Sequence, residues 1–432
     1  MNKLNVGLIG FGVVGSGVVK FLTERKKFIA RKFDTEFVIK KICDRNIRAI
    51  NRTGLSKSTV FTTDYNNVIN DSEIDVVVEL IGGLKPAEEI MMTSLRNGKH
   101  VVTANKELLA HKGKELFTEG KERHRDIYFE ASVGAGIPII KSIAEGLAGN
   151  KFNGVYGIIN GTSNFILSEM TKNECTFDYA LKEAQQRGYA ESNPTLDISG
   201  MDSAHKLAVL IFLAFGKFVD IKDVYTEGIS HITHADIEYA QSLNLTIKLL
   251  AIAKKSDDRL EARVHPTLIP KNHPLASVNG VFNALLLDTY PTGDVLLYGQ
   301  GAGQMSAAGG VISDLINLAL RHKLKSAARI ESLVKENPTL KLKKMDDIEA
   351  KFYIRFMAID KPGILSVISG ILGKHGISIA SVTQKIHKRS SAVPVFMLTH
   401  PAKEKKIRLA LEKISRLAIV RSDPVAIRME KF

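Results

Sequence analysis

The sequence predicts an α/β chain in three parts. A doubly wound parallel sheet comes first, an α+β domain follows, and a small ferredoxin-like module ends the chain. Three observations carry this. Continuous apolar runs alternate with helical patterns through residues 1–131. A glycine-rich turn joins the first of these runs to the first helix. The stretch from 350 to 432 reads β-α-β-β-α-β. With 432 residues the chain is long enough for two to four domains.

In order, Asn5 to Gly10 is a buried strand, followed by Gly10-Phe11-Gly12-Val13-Val14-Gly15 and an apolar helical pattern through Val18, Val19, Phe21 and Leu22. This is G-x-G-x-x-G between a strand and a helix, the context it requires. The first glycine permits the tight turn, the second lets a pyrophosphate approach the backbone, and the third lets helix and strand pack closely. The anion would sit at the positive end of the helix. The motif assigns a dinucleotide site in a Rossmann-type domain.

A second strand, Phe37 to Cys43, ends at Asp44-Arg45. An acid there suits the adenosine ribose hydroxyls, and a following arginine suits a 2′-phosphate. With Arg48 and Lys57 further on, the pattern leans to NADP over NAD. Asp75 to Ile81 is a third buried strand, ending at Gly82-Gly83. Lys99 to Lys106 gives a short strand with a polar tip, Thr103-Ala104-Asn105-Lys106, at the sheet edge where ligands bind in this architecture. Asp126 to Val133 closes the sheet, and Gly134-Ala135-Gly136-Ile137-Pro138 leads out of it.

The middle part, 132–302, opens with a strand-like run from Gly154 to Asn160 that ends at Gly161-Thr162-Ser163-Asn164. Its organising stretch runs from Gly188-Tyr189-Ala190-Glu191 through Asp197 to Gly200, then Met201-Asp202-Ser203-Ala204-His205-Lys206. Gly188, Pro194 and Gly200 break regular structure, so Glu191 and Asp197 are expected on a loop. Asp202 and Lys206 are four apart on a helical pattern and share a face. Alone, such a pair is most often a weak surface contact. At the edge of a buried helix, a lysine held by an aspartate can pass a proton to a reacting oxygen. Further strands are expected at Leu260 to Pro266, Asn279 to Ala284 and Asp294 to Gly299; His265 and His273, beside prolines, read as structural. Gly299-Gln300-Gly301-Ala302-Gly303 then opens a small-residue helix, 303–320, that can return to the first sheet.

Residues 321–349 turn lysine-rich around Pro338 and read as a linker. The last module carries Asp360-Lys361-Pro362-Gly363-Ile364-Leu365 between strand and helix. Gly376-Ile377-Ser378-Ile379, a second helix from Lys405 to Leu417 and a closing strand from Ala418 to Arg421 or just beyond follow.

Composition excludes several classes. Hydrophobic residues make up 44% and charged residues 25%, ordinary for a soluble globular protein. No apolar run reaches a membrane span, and Met1-Asn2-Lys3 leads straight into a strand, without a signal peptide. The two cysteines, Cys43 and Cys175, argue for a reducing cytoplasm without disulfides or zinc. The net charge of +14 lies wholly beyond residue 320, where 24 basic side chains face 10 acidic ones. They are scattered without interleaved aromatics, which fits a solvated surface rather than a nucleic-acid groove.

Taken together, the glycine loop, Thr103 to Lys106, Glu130 to Pro138, Gly161 to Asn164, Gly188 to Glu191, Asp197, Gly200 to Lys206, Glu227-Gly228-Ile229 and Gly301-Ala302-Gly303 resemble homoserine dehydrogenases with a C-terminal ACT domain, in order and over the whole chain. One departure is Gln304-Met305-Ser306-Ala307, where the family usually carries Pro-Thr. The resemblance implies reversible, NAD(P)-dependent hydride transfer between L-aspartate 4-semialdehyde and L-homoserine, in the biosynthesis of threonine, methionine and isoleucine. It implies that Lys206 exchanges the proton with the C4 oxygen and Asp202 positions it. Glu191 would bind the substrate ammonium with support from Asp197, and Lys106 would lie between nicotinamide and substrate. Tyr189, Gly161 and Thr162 join the substrate site, and Gly82, Thr103 and Gly303 the cofactor site with Gly10 to Gly15, Asp44 and Arg45. A sodium ion on the carbonyls of Glu130, Val133, Ala135 and Ile137 is implied. So are an amino-acid effector, L-threonine first, at Asp360, Pro362, Gly363, Ile364 and Ile377, and a homodimer or larger assembly through the middle domain. Two other classes stand beside this one: another ACT-bearing dehydrogenase of amino-acid metabolism, which needs a His-Glu or Arg-Glu pair in place of Glu191 to Lys206, and a non-enzymatic amino-acid sensor, which would oxidise no homoserine.

Overall fold

The structure is a computed structural model and describes residues 2–50, 55–324, 329, 336–384 and 392–432. The chain divides into two compact units. One comprises Met1–Gly161, Asp202–Val224 and Val281–Leu340; the other comprises Thr162–Met201, Tyr225–Gly280 and Lys341–Phe432.

In the first unit, β1 (Asn2–Ile9), β2 (Thr35–Cys43), β3 (Val60–Thr62), β4 (Val76–Glu79), β5 (His100–Thr103) and β6 (Ile127–Tyr128) form a parallel sheet of order β3-β2-β1-β4-β5-β6. That is the expected doubly wound arrangement, and its strand order reverses beside β1. Val76, Val77 and Val78 are fully buried, as a strand covered on both faces must be. Helix α1 (Val13–Phe33) follows β1, and α2 (Lys106–Glu122) follows β5. Helix α3 (Met201–Phe215) buries Leu207 to Phe212 almost completely. Helix α4 (Gln304–Lys323) returns as predicted: its Ala308, Val311, Ile312, Leu315 and Leu318 join Val18, Val19 and Leu22 of α1 in one core. Three antiparallel strands, Gly293–Gln300, Phe282–Tyr290 and Lys151–Ile158, lie in the same unit.

The expected strand from Asp126 to Val133 is cut short. Only Ile127 and Tyr128 pair with β5, and Glu130–Ser132 forms a 3-10 turn. The reason is Glu130. Its N–H donates to Asp314 Oδ2 (2.8 Å), and its carboxylate accepts from Ile140 N (2.9 Å) and Lys141 N (3.0 Å), which ties the chain into the next helical turn.

In the second unit, strand Leu245–Ser256 pairs along its length with Arg259–Pro270. The sequence reading leaves this first strand unassigned. Its run Leu249 to Ala253 is buried on both faces and shows no alternation, the pattern that periodicity alone cannot separate from a helix. The C-terminal strands Val420–Met429, Glu349–Ala358, Val393–Thr399 and Ile379–Gln384 are antiparallel, with helices Ile364–Lys374 and Glu404–Ser415 packed on them. This is the predicted β-α-β-β-α-β order. The last strand is longer than expected: it continues to Met429 past Asp423 and Pro424, which bulge where the register jumps between Ser422 and Val425.

The linker reading needs revision for its described part. Lys341–Leu342 pairs with Arg259 and Leu260, and Ile348 is buried. Residues 325–328 and 330–335 of that stretch lie outside the described residues.

The C-terminal module is also held to the rest of its unit by buried charge. Thr267 and Leu268 pair with Arg428 and Met429. Arg428 donates to Glu404, Glu227 and Tyr225 Oη. Asp236 is 1% exposed and accepts from Tyr353 Oη (2.5 Å) and Arg355 Nε (2.7 Å).

Candidate active site

The glycine-rich turn has the geometry its sequence predicts. Gly10 sits at φ +98°, and its N–H donates to Cys43 O (2.8 Å). A Cβ on Gly15 would strike the Gly10 carbonyl, so close packing of α1 on β1 requires glycine there. A Cβ on Gly12 would meet nothing within 4 Å, which leaves that side open to a ligand. Phe11 and Val14 pack against the core, whereas Val13 is exposed. Asp44 does more than the sequence suggested: its carboxylate accepts from Phe11 N (2.7 Å) and Asn46 N (2.8 Å), fastening the end of β2 to the turn. Arg45 beside it is exposed.

Two further glycines border this end of the sheet. Gly82 and Gly83, after β4, adopt φ +72° and +70°. Gly303, before α4, adopts φ +124°. Gln304 at the start of α4 donates to Ser16 Oγ in the first turn of α1 (3.0 Å), which brings the Gly301-Ala302-Gly303 loop beside the first glycine turn. Ser306 Oγ accepts from Gly136 N (3.1 Å). Gln304 and Ser306, both in the stretch that departs from the family pattern, therefore tie α4 to distant parts of the chain.

The first unit gathers Lys106, Asp202 and Lys206. Asn105 caps α2 by accepting from Leu108 N (3.0 Å), which sets Lys106 at its first position. Lys106 Nζ lies 3.4 Å from Asp202 Oδ1. Lys206 Nζ donates to Asp202 Oδ2 (2.6 Å) and to Ile159 O (2.7 Å). Asn160 Nδ2 also donates to Asp202 Oδ2 (2.9 Å). Burial by itself would raise the Asp202 pKa; the ammonium groups of Lys206 and Lys106, with the hydrogen bonds from Lys206 and Asn160, outweigh it and hold the carboxyl well below the ordinary range. Two of the three Lys206 donors are engaged by these partners, which fixes where the third points. Asn160 and Ile159, just ahead of the Gly161-Thr162-Ser163-Asn164 motif, carry no signal in the sequence for this role.

The second unit holds Thr162, Tyr189, Glu191 and Asp197. Helix Gly161–Asn173 starts where a post-strand tip was expected. Thr162 Oγ1 donates to Tyr189 O (2.7 Å), and Ser163 Oγ donates to Asp197 O (2.8 Å). These hydroxyls fasten the 188–197 stretch at two points. Ser163 was missed because its role passes through a backbone carbonyl. Asp197 lies on the short helix Thr195–Ile198 rather than on open loop, and Glu191 is exposed. Tyr189 lies edge-on to Phe165 with centroids 5.0 Å apart. Gly228 packs against Ile198 O, where a Cβ would clash, and Ile229 N donates to the same oxygen (2.9 Å). His265 is fully buried between Arg263 and Thr267, and His273 caps the turn Pro274–Ser277, so both are structural as expected.

Family models described as "Homoserine dehydrogenase, NAD binding domain", "Homoserine dehydrogenase" and "ACT domain" match residues 10–130, 138–316 and 352–418. The homoserine dehydrogenase of Neisseria gonorrhoeae is 40% identical, with 100% of each chain covered. That of Bacillus subtilis is 37% identical over 100% of this chain and 99% of its own. The chain belongs to the homoserine dehydrogenase family. A solved homoserine dehydrogenase from Thiobacillus denitrificans matches with a TM-score of 0.91 and 40% identity, over 100% of this chain and 99% of that one. A hyperthermophilic archaeal homoserine dehydrogenase matches with a TM-score of 0.63 and 26% identity, over 76% of this chain and 99% of its own.

As a homoserine dehydrogenase the chain is an oxidoreductase with a nicotinamide-binding domain and a C-terminal ACT domain. Full-length identity to this family sets aside the other dehydrogenase class and the non-enzymatic sensor. Among the described residues no helix is long and apolar enough to cross a membrane, and no His, Cys, Asp and Glu group could hold a metal.

Proposed function

We propose that this homoserine dehydrogenase uses Lys206 as its proton-exchange group. The observation that carries this is the short contact from Lys206 Nζ to the buried Asp202. In reduction of the semialdehyde, Lys206 gives a proton to the C4 oxygen; in oxidation of homoserine it takes that proton back. Asp202 holds the ammonium in place and keeps a counter-charge beside it. Lys106 neutralises the other Asp202 oxygen and steadies the substrate. Glu191 receives the substrate ammonium, Asp197 supports it, and Tyr189, Gly161 and Thr162 shape that end. A bound nicotinamide cofactor, NADP(H) first, would supply or accept the hydride at C4. Gly10, Phe11, Gly12, Val13, Val14, Gly15, Asp44, Arg45, Gly82, the Thr103 main chain and Gly303 would hold it.

Preference for NADP(H), with NAD(H) the second carrier, is supported by the exposed Arg45 and Arg48. The archaeal relative was solved with NADPH. The residues around Ala135 fit a sodium ion held by main-chain carbonyls. Ala135 is 6% exposed and takes φ +52°, next to Gly134 at φ +72°. The Glu130 carboxylate is occupied by two backbone N–H groups, so Glu130 would contribute its carbonyl with those of Val133, Ala135 and Ile137.

The module 350–432 serves as the regulatory domain, with L-threonine as effector. Gly363, at φ +88°, begins the helix Ile364–Lys374 with its N–H groups outward, suited to a carboxylate, and Asp360 stands nearby with its Oδ1 accepting from Gln384 (3.2 Å). The side chains of Ile364 and Ile377 are buried, and Ile377 N donates to Leu372 O (3.0 Å), so these two residues would offer an effector their remaining backbone groups. A homodimer through the middle domain is supported by Tyr290, Leu296 and Tyr298, exposed on the strands there. Both cysteines are free, as suits a reducing cytoplasm. The test is the rate of homoserine oxidation by the purified chain with NADP and with NAD, each with and without L-threonine. Failure with both carriers would overturn the catalytic reading. A rate and a calorimetric baseline both unmoved by threonine would overturn the regulatory one.

A further inference from the structure

Glu79 is wholly buried, at 0% exposure, at the C-terminal end of β4. Among the described residues no cation pairs with it. A carboxylate so placed is costly unless hydrogen bonds replace its water. Glu79 Oε1 accepts from Ile81 N (2.8 Å) and Gly82 N (3.1 Å), and Oε2 accepts from Thr103 Oγ1 (2.7 Å) on the neighbouring strand.

These bonds close into a ring. Thr103 Oγ1 accepts from Asn105 N (3.0 Å). Asn105 Nδ2 donates to Gly83 O (2.7 Å), and Asn105 Oδ1 caps α2 at Leu108 N (3.0 Å). The ring thus joins the left-handed Gly82-Gly83 turn to the residue that starts α2, and the next residue is Lys106. Its polarity starts at Glu79, which accepts all three of its hydrogen bonds. The Thr103 hydroxyl must then donate to it and offer a lone pair to Asn105 N. A neutral amide at position 79 could take the two backbone N–H groups. It would turn a donor toward Thr103 and reverse the hydroxyl.

We propose that Glu79 is a positioning residue for the reaction: it holds the Gly82 turn and Lys106 in one fixed relation through the Thr103–Asn105 ring. This rests on the reading that Gly82 and Lys106 face the cofactor and substrate. A group acting through position loses rate steeply for small displacements.

The test compares Glu79→Gln, Thr103→Val and Lys106→Ala in the full chain, by steady-state kinetics, thermal midpoint and the deuterium isotope effect on hydride transfer. Glu79→Gln is expected to lower kcat about tenfold and raise the cofactor KM several-fold. The isotope effect should rise, because misplacement slows the chemical step, and the homoserine KM should rise less than the cofactor KM, because Lys106 is displaced but the Glu191 end of the substrate site is not. Thr103→Val breaks the same ring from the other side, should show the same split and serves if Glu79→Gln fails to fold. A fall in activity that only tracks lost folded protein, with kcat and cofactor KM of the folded fraction unchanged, would make Glu79 structural and overturn the proposal. If Lys106→Ala alone leaves kcat and both KM values intact, the reading beneath it fails instead.

Discussion

Replacing Lys206 tests the proton-exchange assignment most directly. Loss of a positioned acid or base lowers kcat by roughly a hundredfold to ten-thousandfold, a barrier increase of about 3–5 kcal/mol. The structure separates this from simple destabilisation. With Lys206→Ala, the buried Asp202 keeps Asn160 at 2.9 Å and Lys106 at 3.4 Å. Removing one charged hydrogen bond of several costs about 2 kcal/mol of stability, less than baring the carboxylate altogether. Lys206→Arg supplies the second arm. Arginine retains the charge that Asp202 requires but does not give up its proton in this pH range. Stability should therefore recover with arginine while kcat does not, and cofactor affinity should hardly move in either variant. The assay is reduced-nicotinamide absorbance at saturating homoserine, paired with thermal unfolding. A Lys206→Ala enzyme keeping more than about a tenth of its kcat would refute the assignment. Recovery of kcat by arginine would reduce Lys206 to an electrostatic role.

Glu191→Gln should raise the homoserine KM strongly, since it removes a charge-assisted bond to an ammonium; an unchanged KM in the same assay would move that role to Asp197. Arg45→Ala should weaken NADP more than NAD in binding titrations, because the guanidinium is exposed and lies outside the glycine turn itself; equal weakening would make it structural. His100 gives a pH signature. Burial, then the charge of Arg125, pushes its imidazole down to about 4 from 6.5, and its Nδ1 accepts from Asp126 N. The unfolded chain therefore takes up a proton first, so this contribution is complete above about pH 6.5 and is lost as pH falls toward 4. It amounts to at most about 3 kcal/mol. His100→Asn should flatten that part of the stability profile in denaturant unfolding, and an identical slope would refute it.

The sequence was most legible where one residue's chemistry dictates its surroundings. Gly10 turns the chain and Gly15 lets α1 pack on β1 as their spacing implies, and Asp202 and Lys206 share a helix face as four-residue spacing requires. The returning helix was readable from Ala307 onward as a run of small residues, one of which, Ala308, packs close to Gly17 of α1. What escaped shares one cause: partners that are backbone atoms or are far apart in sequence. Lys206 is held by Ile159 O, and Ser163 reaches the Asp197 carbonyl. Asp44 serves the Phe11 amide as well as any ribose. Strand Leu245–Ser256 was invisible for another reason. Both its faces are buried, so the alternation that marks a half-exposed strand is missing.

The clasp between the ACT strands and the middle strands means that a segment separable in sequence is not separable in stability. Cutting the chain before Glu349 would remove Arg355 and Tyr353 from the buried Asp236, and Arg428 from Glu227. Uncovering one partner of a buried pair costs about 3–5 kcal/mol, a large share of the margin by which a domain stays folded. The cut would also bare Thr267 and Leu268 along the edge of Arg259–Pro270, inviting other chains to pair there. A shortened enzyme that aggregated would thus report on this lost support rather than on lost regulation. Point changes within the 350–432 module are the cleaner way to silence it.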